Sequence, residues 1–452
     1  MHDKSTVIII GGGLAGLSAG VLLAEHRIPV LIIEAKSRLG GRASSFQDSK
    51  TGDIVDYGQH LMIGAYKETE QFLKKIGSFE WLDRQDRLRL DLAHPCMGVA
   101  SVKCADLPAP FHLLTGLSGF HHLTWFDKFR MFCSGGVLYC LNPKIFPGID
   151  YISVDTLLRR VSQSKNSRRF FWDILTLATL NEHPQRASAA LFLKVIREAF
   201  LFDRARSQIW LPKTGLSELY TIPAENFIKD RGGQFLMKTR VDQLCFDESG
   251  IQFVETSHGR HFYSDFVISA VPARQLRGAI SDEVAHRYFP TLDQFTSSAI
   301  IGIHLWWDRP VMKNRFVGLL ESPIEWVFDK SQIYDPDLAQ GSHLSLVISA
   351  ANRFVSMSRQ ELTDMAVREI RRFFPLSRRV QLVRSLVIKN RRATFAQQTG
   401  TSRYRLDTET RFPNFLLAGD WTNTGLPATI ESAVMSGHQA AKRLLIKVSN
   451  LR

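Results

Sequence analysis

Residues 7–10 form an unbroken β-branched apolar run, the pattern of a parallel strand buried on both faces. Three glycines follow at 11–13, and residues 14–26 then read as a helix. Residues 29–33 predict a second buried strand, ending on the acid Glu34. The stretch 6–24 carries no charge and is long enough to span a membrane, but the triple glycine divides it into strand and helix. The same short apolar pattern returns far along the chain. After Gly232-Gly233, strands are expected at 234–238 and 241–246, with 251–255 and 261–263 completing a meander and 266–271 a further buried strand. Residues 415–417 predict one more, running into Gly419-Asp420 and then a helix to about residue 447. The chain between mixes helices such as 359–374 with strands such as 298–306 and 343–348. These patterns predict an α/β unit assembled from 1–66, 226–271 and 411–452, with a mixed α+β unit inserted as 67–225 and 272–410.

Gly11, Gly13 and Gly16 fit G-x-G-x-x-G, placed between a strand and a helix as a Rossmann-type dinucleotide site requires. The glycines serve the tight turn, backbone approach to a pyrophosphate, and close helix–strand packing. The helix start at Leu14 and Ala15 offers free N–H groups and positive dipole to the phosphates. Glu34 can accept from both hydroxyls of an adenosine ribose. Gly40-Gly41 lets the chain turn back over the pyrophosphate, and Arg42 can pair with its charge. Gly419-Asp420 and the second helix start suit a flavin. Asp420 can hold a ribityl hydroxyl, and the helix dipole favours negative charge on the reduced ring. The expected cofactor is FAD, held non-covalently because no Cys or His attachment motif is matched.

Composition narrows the class. Hydrophobic residues are 44% and charged residues 22% of 452, which excludes a disordered, collagen-like or polytopic membrane chain. The net charge of +13 favours an anionic partner, nucleic acid or membrane. The basic pairs Arg159-Arg160, Arg168-Arg169, Arg371-Arg372 and Arg378-Arg379 accompany no nucleic-acid module, so no nucleic acid is expected and solvated surface is their default. Five cysteines (Cys96, Cys104, Cys133, Cys140, Cys245) without CxxC or clustered His predict neither a metal site nor a disulfide framework, and fit a reducing cytoplasm. Residues 1–5 lead directly into the first strand, so no signal peptide is expected. Residues 111–147 are rich in Phe, Leu and Trp, with only Asp127, Lys128, Arg130 and Lys144 as fixed charges. This segment reads either as an amphipathic membrane-contacting element opening onto a lipid channel or as an ordinary helical pair.

The two ends of the chain resemble the amine oxidase, protoporphyrinogen oxidase and phytoene desaturase superfamily of flavoproteins. More narrowly, five sets of strings resemble the hydroxysqualene dehydroxylases. They are Asp56-Tyr57-Gly58-Gln59-His60 with Gly64-Ala65-Tyr66, Leu180-Asn181 with Ala187-Ser188-Ala189, Leu211-Pro212 with Gly215-Leu216-Ser217, Arg392-Ala393-Thr394-Phe395, and Ala418-Gly419-Asp420-Trp421-Thr422. The most specific string is Thr424-Gly425-Leu426-Pro427-Ala428-Thr429-Ile430-Glu431. Ser432 and Met435 depart from the Gly and Arg common at those positions.

The resemblance implies that Ala35, Val241, Thr429, Ile430 and Glu431 join the FAD site, and that Gly58, Gln59 and His60 run beside the isoalloxazine. It implies reductive removal of the hydroxyl of hydroxysqualene to give squalene, fed by an unidentified electron donor. His60 and Tyr57 are the candidate proton donors to the departing hydroxyl, and Asp56 is expected to be structural. A long isoprenoid substrate implies an enzyme of the cytoplasm held peripherally at the anionic inner face of the cell membrane. An oxidative carotenoid-precursor desaturase, an amine oxidase and a non-catalytic FAD-binding subunit are the alternatives.

Overall fold

The computed structural model describes residues 5–141, 145–334 and 341–450. Strands β1 (Ser5–Ile10) and β2 (Val30–Ile33) pair in parallel, joined by helix α1 (Leu14–Glu25). Ser264–Ser269 pairs with the other edge of β1 and is followed by Phe415–Leu417, while Gln234–Leu236 lies outside β2. Every pairing in this five-stranded sheet is parallel. Val7, Ile9, Val30 and Ile32 pack on one face with α1 and the helix Ile430–Asn450. Ile8, Ile10, Leu31 and Ile33 pack on the other, against the antiparallel meander of Val241–Phe246, Ile251–Thr256 and His261–Phe262. Both faces are covered, so residues 7–10 of β1 and all of β2 are apolar. The charge-free stretch 6–24 is therefore a strand and a helix. Among the described residues, no helix is long and apolar enough to cross a membrane.

Helix α1 is held by its own backbone. A Cβ on Gly16 would lie 1.9 Å from the Gly11 carbonyl oxygen, so α1 meets the β1 turn with no side chain between. On its other side, a Cβ on Gly437 would lie 2.1 Å from both the Ala15 carbonyl oxygen and Ser18 Oγ. Ser18 Oγ also donates to the Val434 carbonyl at 3.2 Å, tying α1 to the C-terminal helix. The two helix starts that a dinucleotide needs are thereby fixed side by side.

The inserted unit centres on a seven-stranded mixed sheet. Its order is Leu382–Phe395, Ser297–Trp307, Ser342–Ile348, Trp326–Asp329, Phe316–Leu319, Arg89–His94, Gly98–Lys103. Helices between residues 112 and 200 bury a separate core against one side of it. The architecture is the expected Rossmann-type sheet with a mixed α+β insertion. The core of the parallel sheet also takes in residues at either end of the inserted segment. Phe72, Leu73 and Phe79 on one segment, and Trp210, Leu219 and Tyr220 on another, bury into the same core as β1 and α1.

Gly437→Ala is expected to destabilise the fold by about 1–3 kcal/mol, because the Ala15 carbonyl cannot retreat and Ser18 Oγ would have to leave its place. Denaturant melts against Gly148→Ala check it, since a Cβ on Gly148 meets nothing within 4 Å. Equal midpoints for the two variants would disprove the close-contact argument.

Candidate functional site

One cavity of about 2060 Å³ is lined from both units. At one end stand Gly11, Gly13, Leu14 and Ala15 with Glu34, Ala35, Gly41, Arg42 and Val241. Gly11 and Gly41 have φ of +103° and +60°, conformations that side chains resist. A Cβ on Gly13 would meet nothing within 4 Å, so the space it would take is cavity. No side chain caps α1, which leaves its first N–H groups to a ligand. Gly16 does not line the cavity and acts only through packing. The Glu34 carboxylate is buried and accepts from Gly12 N at 2.8 Å and Lys36 N at 2.9 Å. Each oxygen keeps capacity for a further hydroxyl donor. These residues fit an adenosine diphosphate moiety.

In the middle, Arg42 reaches across the cavity. It donates to Asp420 Oδ1 and to the Ala393 carbonyl, both at 2.7 Å. The expected phosphate partner and the expected ribityl partner are thus paired with each other. Arg405, which the sequence patterns do not mark, is buried behind this point. It donates to the carbonyls of Asp420, Thr422 and Leu426 and to Thr424 Oγ1. Burial lowers its pKa to about 10 against the pull of Asp420, and it stays charged at neutral pH. Gly419, Asp420, Thr429 and Ile430 line the cavity here. Ser432 Oγ bonds Thr424 Oγ1 at 2.7 Å and so knits the Gly-Asp loop to the last helix. Met435 is also part of the wall.

Glu431 has another task. Its buried carboxylate accepts from Glu68 N, Thr69 N and Thr69 Oγ1 and so caps the helix Lys67–Lys75. The residue also borders the cavity.

Tyr57, Gly58, Gln59 and His60 form a wall where the two units meet. The Tyr57 ring lies between Arg38, 4.0 Å from its centroid, and Phe46. His60 Nδ1 is 2.7 Å from the Gly58 carbonyl, an acceptor only, so Nδ1 carries the proton. Nε2 is then an acceptor in the neutral ring and a donor only in the imidazolium. Burial pushes the His60 pKa below its ordinary value, although Gly58 and Asp56 pull it up. Asp56 itself is fully buried behind the wall, as a structural role requires.

Beyond this wall the cavity becomes apolar, lined by Leu92, Leu117, Met131, Phe171, Trp172 and Phe328 among others. It reaches Phe111 and Leu114 beside the helix His112–Ser118, and Phe132, Gly135 and Gly136 on the helix Trp125–Cys140. This region leaves several large apolar side chains in solvent. Trp125 is 74% exposed and Phe111 58%, while Phe126, Phe129 and Phe132 are also exposed. Trp125, Phe129 and Phe132 recur at helical spacing on one face, and Met131 and Leu138 are buried on the other. Lys144, expected beside them, lies outside the described residues. The strings at 180–181 and 392–395 meet deep in the cavity, where Asn181 Nδ2 donates to Thr394 Oγ1 at 2.9 Å. Among the described residues, no group of three or more His, Cys, Asp or Glu could hold a metal ion.

Comparison with known proteins agrees with this geometry. Residues 107–445 match the family described as flavin containing amine oxidoreductase, and residues 9–76 match an NAD(P)-binding Rossmann-like domain. The hydroxysqualene dehydroxylase of Zymomonas mobilis is 28% identical over 450 residues, covering 97% of this chain and 98% of that protein. The 15-cis-phytoene desaturase of Synechococcus elongatus is 26% identical, covering 99% of this chain and 97% of that one. The solved cyclohexylamine oxidase of Brevibacterium oxydans superposes with a TM-score of 0.72 at 16% identity, over 99% of this chain and 100% of that one. This last likeness speaks for the fold.

Arg42→Ala and Asp420→Ala should each weaken FAD binding, since charge-assisted contacts contribute about 1.5–3 kcal/mol. Because the two side chains are bonded to each other, the double variant should lose less than the sum. Flavin fluorescence titration of the reconstituted chains measures both. Additive losses would mean that the pair separates when the cofactor binds.

Proposed function

For a chain that belongs to the flavin-containing amine oxidoreductase family, we propose the reductive dehydroxylation of hydroxysqualene to squalene, with FAD held non-covalently. The observation that carries this reading is the single cavity joining a dinucleotide cradle to a long apolar limb that ends among exposed Phe and Trp side chains. Relatives named hydroxysqualene dehydroxylase, matching nearly full length, support the choice of substrate. Reduced flavin would supply a hydride to the allylic carbon as its C–O bond breaks. This chain's residues then have three tasks. The cradle from Gly11 to Arg42 and the Asp420 loop hold the cofactor. The apolar limb excludes water and aligns the hydrocarbon. A donor on the Tyr57–His60 wall gives the leaving hydroxyl its proton, so that it departs as water.

His60 can do this only as the imidazolium, because its neutral form donates to Gly58. With a lowered pKa, that form is scarce at neutral pH and grows as pH falls. Tyr57 is the other donor on the wall. The substrate also dictates where the enzyme works. About thirty carbons at about 0.8 kcal/mol per CH₂ leave little free substrate in water. The exposed apolar foot and the +13 charge are suited to a peripheral place on the anionic inner face of the cell membrane. Lys128 and Arg130 sit beside the foot, and the Arg130 guanidinium lies 4.5 Å over the Phe126 ring.

Anaerobic, photoreduced enzyme mixed with hydroxysqualene should return to the oxidised spectrum and yield squalene by mass. No reoxidation, together with bleaching of the oxidised enzyme by a carotenoid precursor, would turn the assignment to an oxidative desaturase. Acid precipitation should release the flavin. In the same assay the wild-type rate should climb toward acid pH if His60 is the donor, and His60→Ala should keep FAD and lose the climb. An unchanged rate in the variant removes His60 and leaves Tyr57. In liposome flotation, binding should require anionic lipid, weaken with salt, and fall in a Trp125→Ser/Phe126→Ser variant. Equal, negligible flotation on anionic and neutral vesicles at low salt would refute the membrane assignment.

A further inference from the structure

Behind the Tyr57–His60 wall lies a buried ion pair formed by residues 274 positions apart. Lys330 begins the helix Lys330–Tyr334, directly after the strand Trp326–Asp329 of the inserted sheet, and is 1% exposed. Its Nζ donates to Asp56 Oδ2 and to Gln59 Oε1, both at 2.7 Å, and lies 4.0 Å over the Tyr334 ring. Asp56 is equally buried, and its other oxygen accepts from Ser45 Oγ at 2.7 Å and Leu216 N at 3.0 Å. Tyr334 OH is 3.2 Å from Oδ2. An ammonium can only donate, so it fixes which end of the Gln59 amide faces it. Gln59 Nε2 points elsewhere, buried and without a protein partner.

We propose that Lys330 is a positioning residue for the flavin-facing wall, anchoring Gln59 directly and Tyr57–His60 through Asp56. A buried cation that does not line the cavity needs a reason, since a well-packed apolar pair would fill the same space with no desolvation cost. Here the reason is geometric. The pair joins the inserted sheet to the end of the Ile54–Asp56 strand, immediately before the four residues that line the cavity. The anchoring lysine thus comes from the substrate side and the wall from the cofactor side. The inference needs a flavin in the cradle but not the particular substrate proposed above.

Burial works against charge on Asp56, yet Lys330, Leu216 N and Ser45 hold its carboxyl below the ordinary range. Burial likewise lowers the Lys330 pKa, with Asp56 and Glu218 raising it. The other titratable groups facing the pair are Tyr334, His60 and His304. In Lys330→Met the Asp56 carboxyl loses its counter-charge, and its pKa rises above the unfolded value. Stability is then greatest at low pH and falls as pH climbs through the raised pKa.

The test titrates FAD by flavin fluorescence from about pH 5 to about pH 8 into wild type, Lys330→Met and the neutral pair Asp56→Asn/Lys330→Met, alongside melts of the cofactor-free chains. Wild type should hold FAD within about twofold across the range, while Lys330→Met should weaken at least about tenfold toward high pH. The neutral pair should melt like wild type and lose the pH dependence. With Gln59 unanchored, it should still bind FAD several-fold more weakly and shift the flavin absorption band. Wild-type affinity and spectrum in the neutral pair, or a flat pH profile in Lys330→Met, would overturn the proposal. If Lys330→Met fails to fold, the neutral pair decides alone.

Discussion

The cofactor end of the cavity rests on a helix that meets both its neighbours at glycines. Helix α1 touches the turn after β1 through Gly16 and the C-terminal helix through Gly437, backbone against backbone. Close packing of this kind is stiff, because relief would require main chain to move rather than a rotamer to turn. It fixes the N-terminus of α1 relative to that of the last helix. One helix start lies at the adenosine diphosphate end of the cavity, and the other lies where Asp420 and Thr429 meet the wall of Tyr57 to His60. The distance between them sets the length of cofactor that can be held. Arg42 and Arg405 then work within that frame, Arg42 by bridging the first and last segments and Arg405 by gathering the carbonyls of the loop that carries Asp420.

The parts of the site that were legible in the sequence are those where backbone geometry forces the residue. A turn at φ +103° calls for Gly11, and a strand covered on both faces calls for the run from Val7 to Ile10. The exposed foot was legible for a different reason, since few charges in a long Phe- and Trp-rich stretch leave apolar area in solvent. Lys330, Arg405 and the helix-capping bonds of Glu431 were not legible. A buried lysine looks like any surface lysine until its partner, Asp56, arrives from another part of the chain. Glu431 was read by proximity to the flavin-side helix start, yet its carboxylate completes the start of a different helix. Core membership is hidden from the sequence on similar grounds. Phe72 and Tyr220 are ordinary core residues in any local window, and only packing shows which core they join.

The polarity of the cavity changes along its length in a way that sorts the labour. Its cofactor end is made of main-chain N–H groups and charged side chains, among them Glu34, Arg42 and Asp420. Its far end is hydrocarbon, continuous with side chains exposed to solvent. The wall from Tyr57 to His60 lies at the join, where a hydroxyl on an otherwise apolar molecule would find its donors. A dry limb strengthens whatever hydrogen bonds are made at that join, because little water competes for them. The electrostatic frame therefore matters most over a short stretch of wall, and the Asp56–Lys330 pair stands immediately behind it.

The three-part assembly of the parallel sheet has a consequence for how the chain acquires its shape. β1 pairs on both sides, with β2 close in sequence and with Ser264–Ser269 more than 250 residues later, and the sheet closes only with Phe415–Leu417. A ribosome releases this protein from its N-terminus, so the most hydrophobic helix and strand emerge first and wait for most of the synthesis before their second face is covered. Contacts of such long sequence separation form slowly, and uncovered parallel strands invite association with other chains in the interval. The helical layer of the inserted unit, whose own core is drawn largely from residues 88–211, can collapse while the parallel sheet is still incomplete. Newly made chains should therefore pass through a state with a collapsed helical layer and an open parallel sheet, one that depends on chaperones until the last helix docks on α1.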